Sequence, residues 1–245
     1  MILAIDAGNS RVKWGWYEAG AGGKGKWTGI ANVSLIEFAA SSDHVNPFSA
    51  THENPARIVI SNVAGEGAQQ LLINWTSIFD ARPEWVHGEV ERCGVRSRYE
   101  RPEQLGPDRW AALIAAHALR SAPCLVVNAG TATTVDALSA DGEFLGGLIL
   151  PGIELMRFVL HEHTGRLPMQ EGQFRELPRN TLDAIESGCR QAQAGAVERM
   201  FRGIGGAGSC LVSGGGGQAL IERLTVPATY VENLVLEGLA CIART

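Results

Sequence analysis

The chain has 245 residues, of which 45% are hydrophobic and 19% charged. That is enough apolar content to bury a core and too much for a disordered chain. The formal charge of −5 argues against a general nucleic-acid binder, which needs a basic face, but leaves room for phosphate held by backbone N–H groups.

The five cysteines, Cys93, Cys124, Cys189, Cys210 and Cys241, are scattered and form no CxxC pair. This pattern fits free thiols in a reducing compartment better than a disulfide framework or a zinc site. Asp6 interrupts the first apolar run too early for a signal core, and no apolar stretch approaches membrane-span length. The expectation is a cytoplasmic protein with no membrane and no nucleic-acid partner.

In chain order, residues 1–5 predict a buried strand. Val12, Trp14 and Trp16 then alternate with Lys13, Gly15 and Tyr17, the period of a strand with one buried face. "EAGAGGKGK" at 18–26 reads as a glycine-rich loop, "KWTGIAN" as a strand, and "ARIVISNVAG" at 56–65 as a buried strand with its exit turn. "EGAQQLLINWTSIF" predicts a helix, with Leu71, Leu72, Trp75 and Phe79 near one face. An alanine-rich helix follows over 109–119. The opening layout then returns, with 3–8 aligning to 125–130 at an offset of 122 (128 − 6). "SADGE" supplies a turn and "FLGGLILPG" a returning strand. A long helix over 181–202, a short strand in "CLVSGGGGQ" and a last helix over 232–244 complete the chain. The expected fold is α/β with two related lobes, 1–117 and 118–245.

Each repeat places a strand end, an Asp or Asn, then Ala-Gly, before a hydroxyl or amide residue. Such a turn lets the backbone approach a ligand closely and hold phosphate oxygens. Asp6 at the strand end is placed to hold Mg²⁺ or its waters, since hard cations prefer oxygen ligands. Lys13 adds a positive charge, although strand alternation can turn it to the other face. The two turns are expected to hold a nucleotide from opposite sides. Neither is a Walker loop or a GxGxxG opening. "SGGGGQ" at 213–218 serves equally as a plain turn or as bare backbone over a nucleoside. "HEHTG" at 161–165 reads as a polar loop rather than a metal site.

"DAGNSRVKW", "YERPEQLGPDRW", "NAGTATTVD", "GGLILPG" and "TLDAIESG" occur in this order. Together they resemble the type III pantothenate kinases of the acetate and sugar kinase, heat-shock-70 and actin superfamily. The resemblance implies two actin-like (ribonuclease H-like) lobes with mixed central sheets. It also implies ATP-dependent phosphorylation of pantothenate, the first step toward coenzyme A, in a homodimer. By the same resemblance Asp6, Ala7, Gly8, Asn9, Ser10, Arg11, Val12 and Lys13 form the first ATP-phosphate segment, and Thr131 contacts ATP from the second lobe. Tyr99, Gly106, Pro107, Asp108, Arg109 and Thr181 contact the substrate, with Asp108 as general base. Mg²⁺ is the expected divalent ion.

Taken without the resemblance, Asp108 is an acid in a helix's first turn, Arg109 a helix residue with a solvated or paired charge, and Thr181 an N-cap. One position departs from the family pattern. Asn128 stands where an Asp usually helps hold a monovalent cation, K⁺ or ammonium, and an amide brings no charge. Potassium dependence is therefore expected to be weak or absent. Two other functions stay open at this level: a kinase of another small hydroxylated substrate, and a nucleotide-binding regulator without catalysis.

Overall fold

The computed structural model describes residues 1–20, 25–40, 54–120, 122–206 and 208–245. The middle of the predicted glycine-rich loop at 18–26 lies outside them. Chain contacts group the molecule into two units, Met1–Leu119 with Leu234–Thr245, and Arg120–Asn233.

The first unit begins with β1 (Ile2–Ala7), β2 (Arg11–Ala19) and β3 (Gly25–Ser34). The short helix α1 (Leu35–Ala40), β4 (Arg57–Asn62), α2 (Glu66–Thr76) and β5 (Pro83–Trp85) follow. β6 (Glu91–Arg92) and β7 (Val95–Ser97) make a small hairpin. A single 3-10 turn, Pro102–Gln104, leads into α3 (Pro107–Leu119). The main sheet runs β3-β2-β1-β4-β5, with β2 antiparallel to β1 and to β3, and β4 parallel to β1 and to β5. Its core joins alternate strand positions Leu3, Ile5, Trp14, Trp16, Ile58 and Ile60 to the helix residues Phe38, Leu72 and Trp75; β1, β2 and β4 bury residues on both faces, which corrects the single buried face expected for β2. Of the predicted helix-face residues, Leu72 and Trp75 are buried and Leu71 packs at the margin, while α2 ends at Thr76, so Phe79 packs against the core from the turn beyond it.

The second unit repeats this plan. β8 (Cys124–Ala129), β9 (Ala132–Leu138) and β10 (Glu143–Pro151) precede α4 (Ile153–Glu162) and α5 (Thr181–Gly203). β11 (Ser209–Ser213), α6 (Gly217–Ile221) and β12 (Ala228–Tyr230) close it. The strands lie in the order β12-β11-β8-β9-β10. β9 is antiparallel to both neighbours and β11 is parallel to both of its own. In these five strands the order and the pairing directions are those of the first sheet, in keeping with the duplication behind the 122-residue offset.

The last helix, α7 (Leu234–Ile242), corrects the expected division at 117/118. It packs with the first unit, against α3 and β1, rather than with the lobe that precedes it in sequence. The fit with α3 is close. A Cβ on Gly238 would stand 1.8 Å from the Ala111 carbonyl oxygen, so only glycine allows the two backbones this approach. Trp110, Leu113 and Ile114 of α3 and Leu236, Leu239 and Ile242 of α7 are all buried. No described helix is long and apolar enough to cross a membrane.

Candidate functional site

In the first unit the site grows from the end of β1. Strand pairing sets Asp6 opposite Lys13 on β2 and opposite Ser61 on β4. Directly opposed residues share a sheet face, so Lys13 points to the acid's side, which settles the question strand alternation left open. The turn closes with the Gly8 N–H donating to the Arg11 carbonyl at 2.9 Å. Asn9 and Ser10 stand exposed at its tip. The Ala7 and Val12 side chains are fully buried, so these two residues can offer a ligand only their backbone. Arg11 donates from Nε to Asn32 Oδ1 at 2.9 Å, which holds its guanidinium along β3.

Asp108 lies at the start of α3. Pro107 is the first helical residue, with φ suited to that position, and the Trp110 N–H donates to the Gly106 carbonyl at 2.9 Å. The Arg109 N–H donates to Asp108 Oδ1 at 2.8 Å. A Cβ at Gly106 would come within 2.7 Å of that same oxygen, so the glycine makes room for the carboxylate. Arg109 is 5% exposed. Its Nη1 donates to the Tyr99 hydroxyl at 3.0 Å, and its guanidinium stands 5.6 Å from the Tyr99 ring centre. The helix thus carries a buried cation, not the solvated charge that sequence alone allowed.

The charge of Asp108 reaches Asp6. Burial raises the Asp6 pKa from 3.8 to about 7, and the Asp108 charge adds to the rise, while Ser61 and Lys13 oppose it. Asp6 Oδ1 is buried without a hydrogen-bond partner. Burial also raises the Asp108 pKa, against the pull of the Arg109 N–H and guanidinium. Ser61 escaped the sequence reading. Its strand was predicted, but the pairing that sets it beside Asp6 is not written in local pattern.

The second unit presents the matching turn. The Gly130 N–H donates to the Ala132 carbonyl at 3.0 Å, with Thr131 exposed at the tip. Asn128 faces Thr134 on β9 and Ser213 on β11, the places held by Lys13 and Ser61 around Asp6. The glycine run packs against this strand end. The Gly216 N–H donates to the Ala129 carbonyl at 2.9 Å. Gly214, with φ of 91°, leaves no space for a Cβ, which would lie 2.4 Å from the Ala129 oxygen and 2.6 Å from Asn128 Oδ1. Behind the turn the Gly152 N–H donates to the Thr131 carbonyl at 2.8 Å.

Thr181 opens α5, but the cap is its neighbour. Asn180 Oδ1 accepts the Asp183 N–H at 2.9 Å, which corrects the N-cap reading of Thr181. Thr181 lines a cavity of about 880 Å³ between α4 and α5, whose walls include Met156, Val159, Ile185 and Cys189. α4 itself was not foreseen, and "HEHTG" is not wholly a loop. His161 and Glu162 end the helix, and His161 Nδ1 lies 2.7 Å from the Leu167 carbonyl oxygen. Among the described residues no group of three or more His, Cys, Asp or Glu is placed to hold a metal.

A duplicated β-sheet unit with an antiparallel hairpin leading into parallel strands defines the actin-like α/β class. A glucokinase from an Antarctic psychrotroph shares the fold with a TM-score of 0.54 at 12% identity, over 100% of this chain and 99% of that one. The type III pantothenate kinase family model matches residues 2–203. The chain is 53% identical to the type III pantothenate kinase of Aromatoleum aromaticum, over 100% of this chain and 98% of the relative. It is 44% identical to that of Nitrosospira multiformis, over 100% of this chain and 91% of the relative. The chain belongs to the type III pantothenate kinase family.

Proposed function

We propose that this chain transfers the terminal phosphoryl group of ATP to the primary hydroxyl of pantothenate, the first committed step toward coenzyme A, in the cytoplasm. The observation that carries the reading is the pair of acids in the first unit. Asp6 and Asp108 are both drawn toward protonation, and the buried cation Arg109 stands beside Asp108.

A primary alcohol attacks phosphorus well only when a base receives its proton. Asp108 is the base in this reading. Burial raises its proton affinity, while the Arg109 N–H fixes the carboxylate's direction. Arg109 and Tyr99 bind the carboxylate end of pantothenate by charge-assisted hydrogen bonds. The Gly8 and Gly130 amides already donate within their hairpins. The exposed residues that follow them, Asn9 and Ser10 in one turn and Thr131 in the other, therefore meet the phosphates. Lys13 adds positive charge on the face of Asp6.

Asp6 fits a hard divalent ion. Its buried Oδ1 is without a hydrogen-bond partner and lies near a second acid, an oxygen environment that suits Mg²⁺. Bound there, Mg²⁺ would neutralise phosphate charge. Asn128 offers an amide oxygen and no charge, so activation by K⁺ or ammonium is weak or absent.

A homodimer completes the reading. α4 exposes Leu155, Phe158 and Val159, and β10 exposes Leu145, Leu148 and Ile149. Exposed apolar side chains concentrated on these two elements suit an interaction surface, and a second copy covers those of α4. Thr181 on the adjoining cavity then reaches the substrate of the neighbouring subunit.

The test is an ADP-release assay with pantothenate beside a panel of sugars and other small alcohols, with the product weighed by mass spectrometry. Phosphopantothenate formed by wild-type chain, with no comparable turnover of the other acceptors, is the expected result.

A further inference from the structure

α4 is inside out. Leu155, Phe158 and Val159 lie 38–48% exposed, and the helix's one buried residue is Arg157, at 6%. Three carboxylates surround the Arg157 guanidinium. Nη1 lies 3.2 Å from Glu154, 3.2 Å from Glu171 and 3.5 Å from Glu186, and Nη2 donates to the Met169 carbonyl at 3.4 Å. Glu186 on α5 is 3% exposed and also pairs with Arg190 Nε at 2.5 Å. Burying such a pair costs desolvation that an apolar pair of the same size would not.

The geometry gives a reason for the charge. Arg157 joins α4, the segment 163–180 and α5 at one point. Further along, that segment lies on the first turns of α5. The Gln173 N–H donates to Asp183 Oδ1 at 2.8 Å and the Arg175 N–H to Ser187 Oγ at 2.9 Å. Gly172 is so close that a Cβ would stand 2.2 Å from the Leu182 carbonyl oxygen. The residue preceding these contacts in α5 is Thr181, on the cavity wall.

We propose that Arg157 and Glu186 are positioning residues for the phosphoryl acceptor. They clamp 163–180 against the first turn of α5 and so fix where Thr181 meets the substrate. A guanidinium suits this task because its planar fork addresses several acceptors in set directions, which an ammonium or an apolar side chain does not. The inference rests on the reading of Thr181 as a pantothenate contact.

The experiment compares wild type, Thr181→Ala, Arg157→Lys, and a double variant in which Arg157→Met accompanies Glu186→Met. The apolar pair keeps the fold, because the charges that lose a partner, Arg190, Glu154 and Glu171, all reach solvent. Thermal unfolding confirms this before kinetics are read, and Arg157→Lys supplies the measurement should the double variant fail to fold. In the double variant the KM for pantothenate rises roughly tenfold, the equivalent of about 1.4 kcal/mol, while the KM for ATP stays within about twofold. Arg157→Lys lies between wild type and the double variant, or shows the same pattern alone. Amide hydrogen exchange over 167–176 speeds up in parallel, a readout independent of turnover. A folded variant with wild-type exchange over that segment and an unchanged pantothenate KM overturns the inference, provided Thr181→Ala raises that KM. An unchanged KM in Thr181→Ala overturns the substrate reading of Thr181 instead, and faster exchange in the Arg157 variants would still uphold the clamp.

Discussion

The two hairpin turns descend from one plan and now differ in chemistry. Around the end of β1 stand Asp6, Lys13 and Ser61; around the end of β8 stand Asn128, Thr134 and Ser213. The first set carries charge of both signs and the second carries none. Their connections differ as well, with four residues between the paired Ala7 and Val12 and three between Ala129 and Thr133. The tighter second turn is backed by glycine backbone at 152, 214 and 216, whereas the first is backed by acids. Duplication supplied two identical frames. Ionisable groups stand in one, and the other is rimmed by backbone, amide and hydroxyl groups.

The largest expected effect belongs to the charged frame. Asp108→Asn should lower pantothenate turnover by about 10³-fold, within the range for loss of a general base. Nucleotide binding, followed by calorimetry, should be unchanged. Near-normal turnover would remove Asp108 from the reaction.

Next comes Asp6, through stability. The folded carboxyl titrates near 7 and the unfolded one near 3.8, so the folded state holds the proton more tightly. That contribution is complete below the unfolded value and is lost as pH rises through about 7. The displacement corresponds to on the order of 4 kcal/mol against the ionised form in the folded chain. Asp6→Asn should therefore unfold at a higher temperature than wild type at about pH 8, in nucleotide-free and magnesium-free buffer, and the gain should vanish near pH 4. A wild type that is equally stable to its variant across that range would show that Asp6 ionises as an ordinary surface acid.

A third pair of variants separates the two frames sterically. A Cβ at Gly152 would stand 2.1 Å from the Gly130 oxygen, while one at Gly8 meets only the Arg11 oxygen at 3.3 Å. Gly152→Ala should cost about 1–3 kcal/mol, as overpacking does, and Gly8→Ala markedly less; chemical denaturation measures both. Equal costs would erase the contrast between a backbone-backed and an open turn.

The smallest effect restores charge to the neutral frame. Asn128→Asp should bring a several-fold activation by K⁺ in sodium-free assays, read against a wild type that responds weakly, since an added carboxylate strengthens cation binding through charge. Strong activation of the wild type itself at low salt would sink the proposal for Asn128.

The sequence spelled out what repeats locally. The offset between 6 and 128, the alternation of β2 and the alanine-rich helix after Pro107 all follow from side-chain period and turn chemistry. It did not spell out register. Ser61 joins Asp6 only because β4 lies parallel to β1 residue for residue, a long-range fact. α4 stayed hidden because apolar residues occupy both its half-buried side (Ile153, Met156, Leu160) and its exposed side (Leu155, Phe158, Val159), with a buried arginine among the former, so no single apolar stripe stands out. The strands β5, β6, β7 and β12 span two or three residues each, too few for a period to show. The C-terminal helix was visible as a helix, but the unit it joins depended on contacts with α3 that no local pattern carries.

That last placement bears on how the chain is made. α3, with Asp108 at its start, stacks on a helix that ends at Ile242. During synthesis, which proceeds from the N-terminus, the helix bearing the general base emerges well before its partner. The buried face of α3 must wait, uncovered, until residues 234–242 have been made. Removing residues 234–245 would therefore strike the unit made first, Met1–Leu119, rather than the one just before them in sequence.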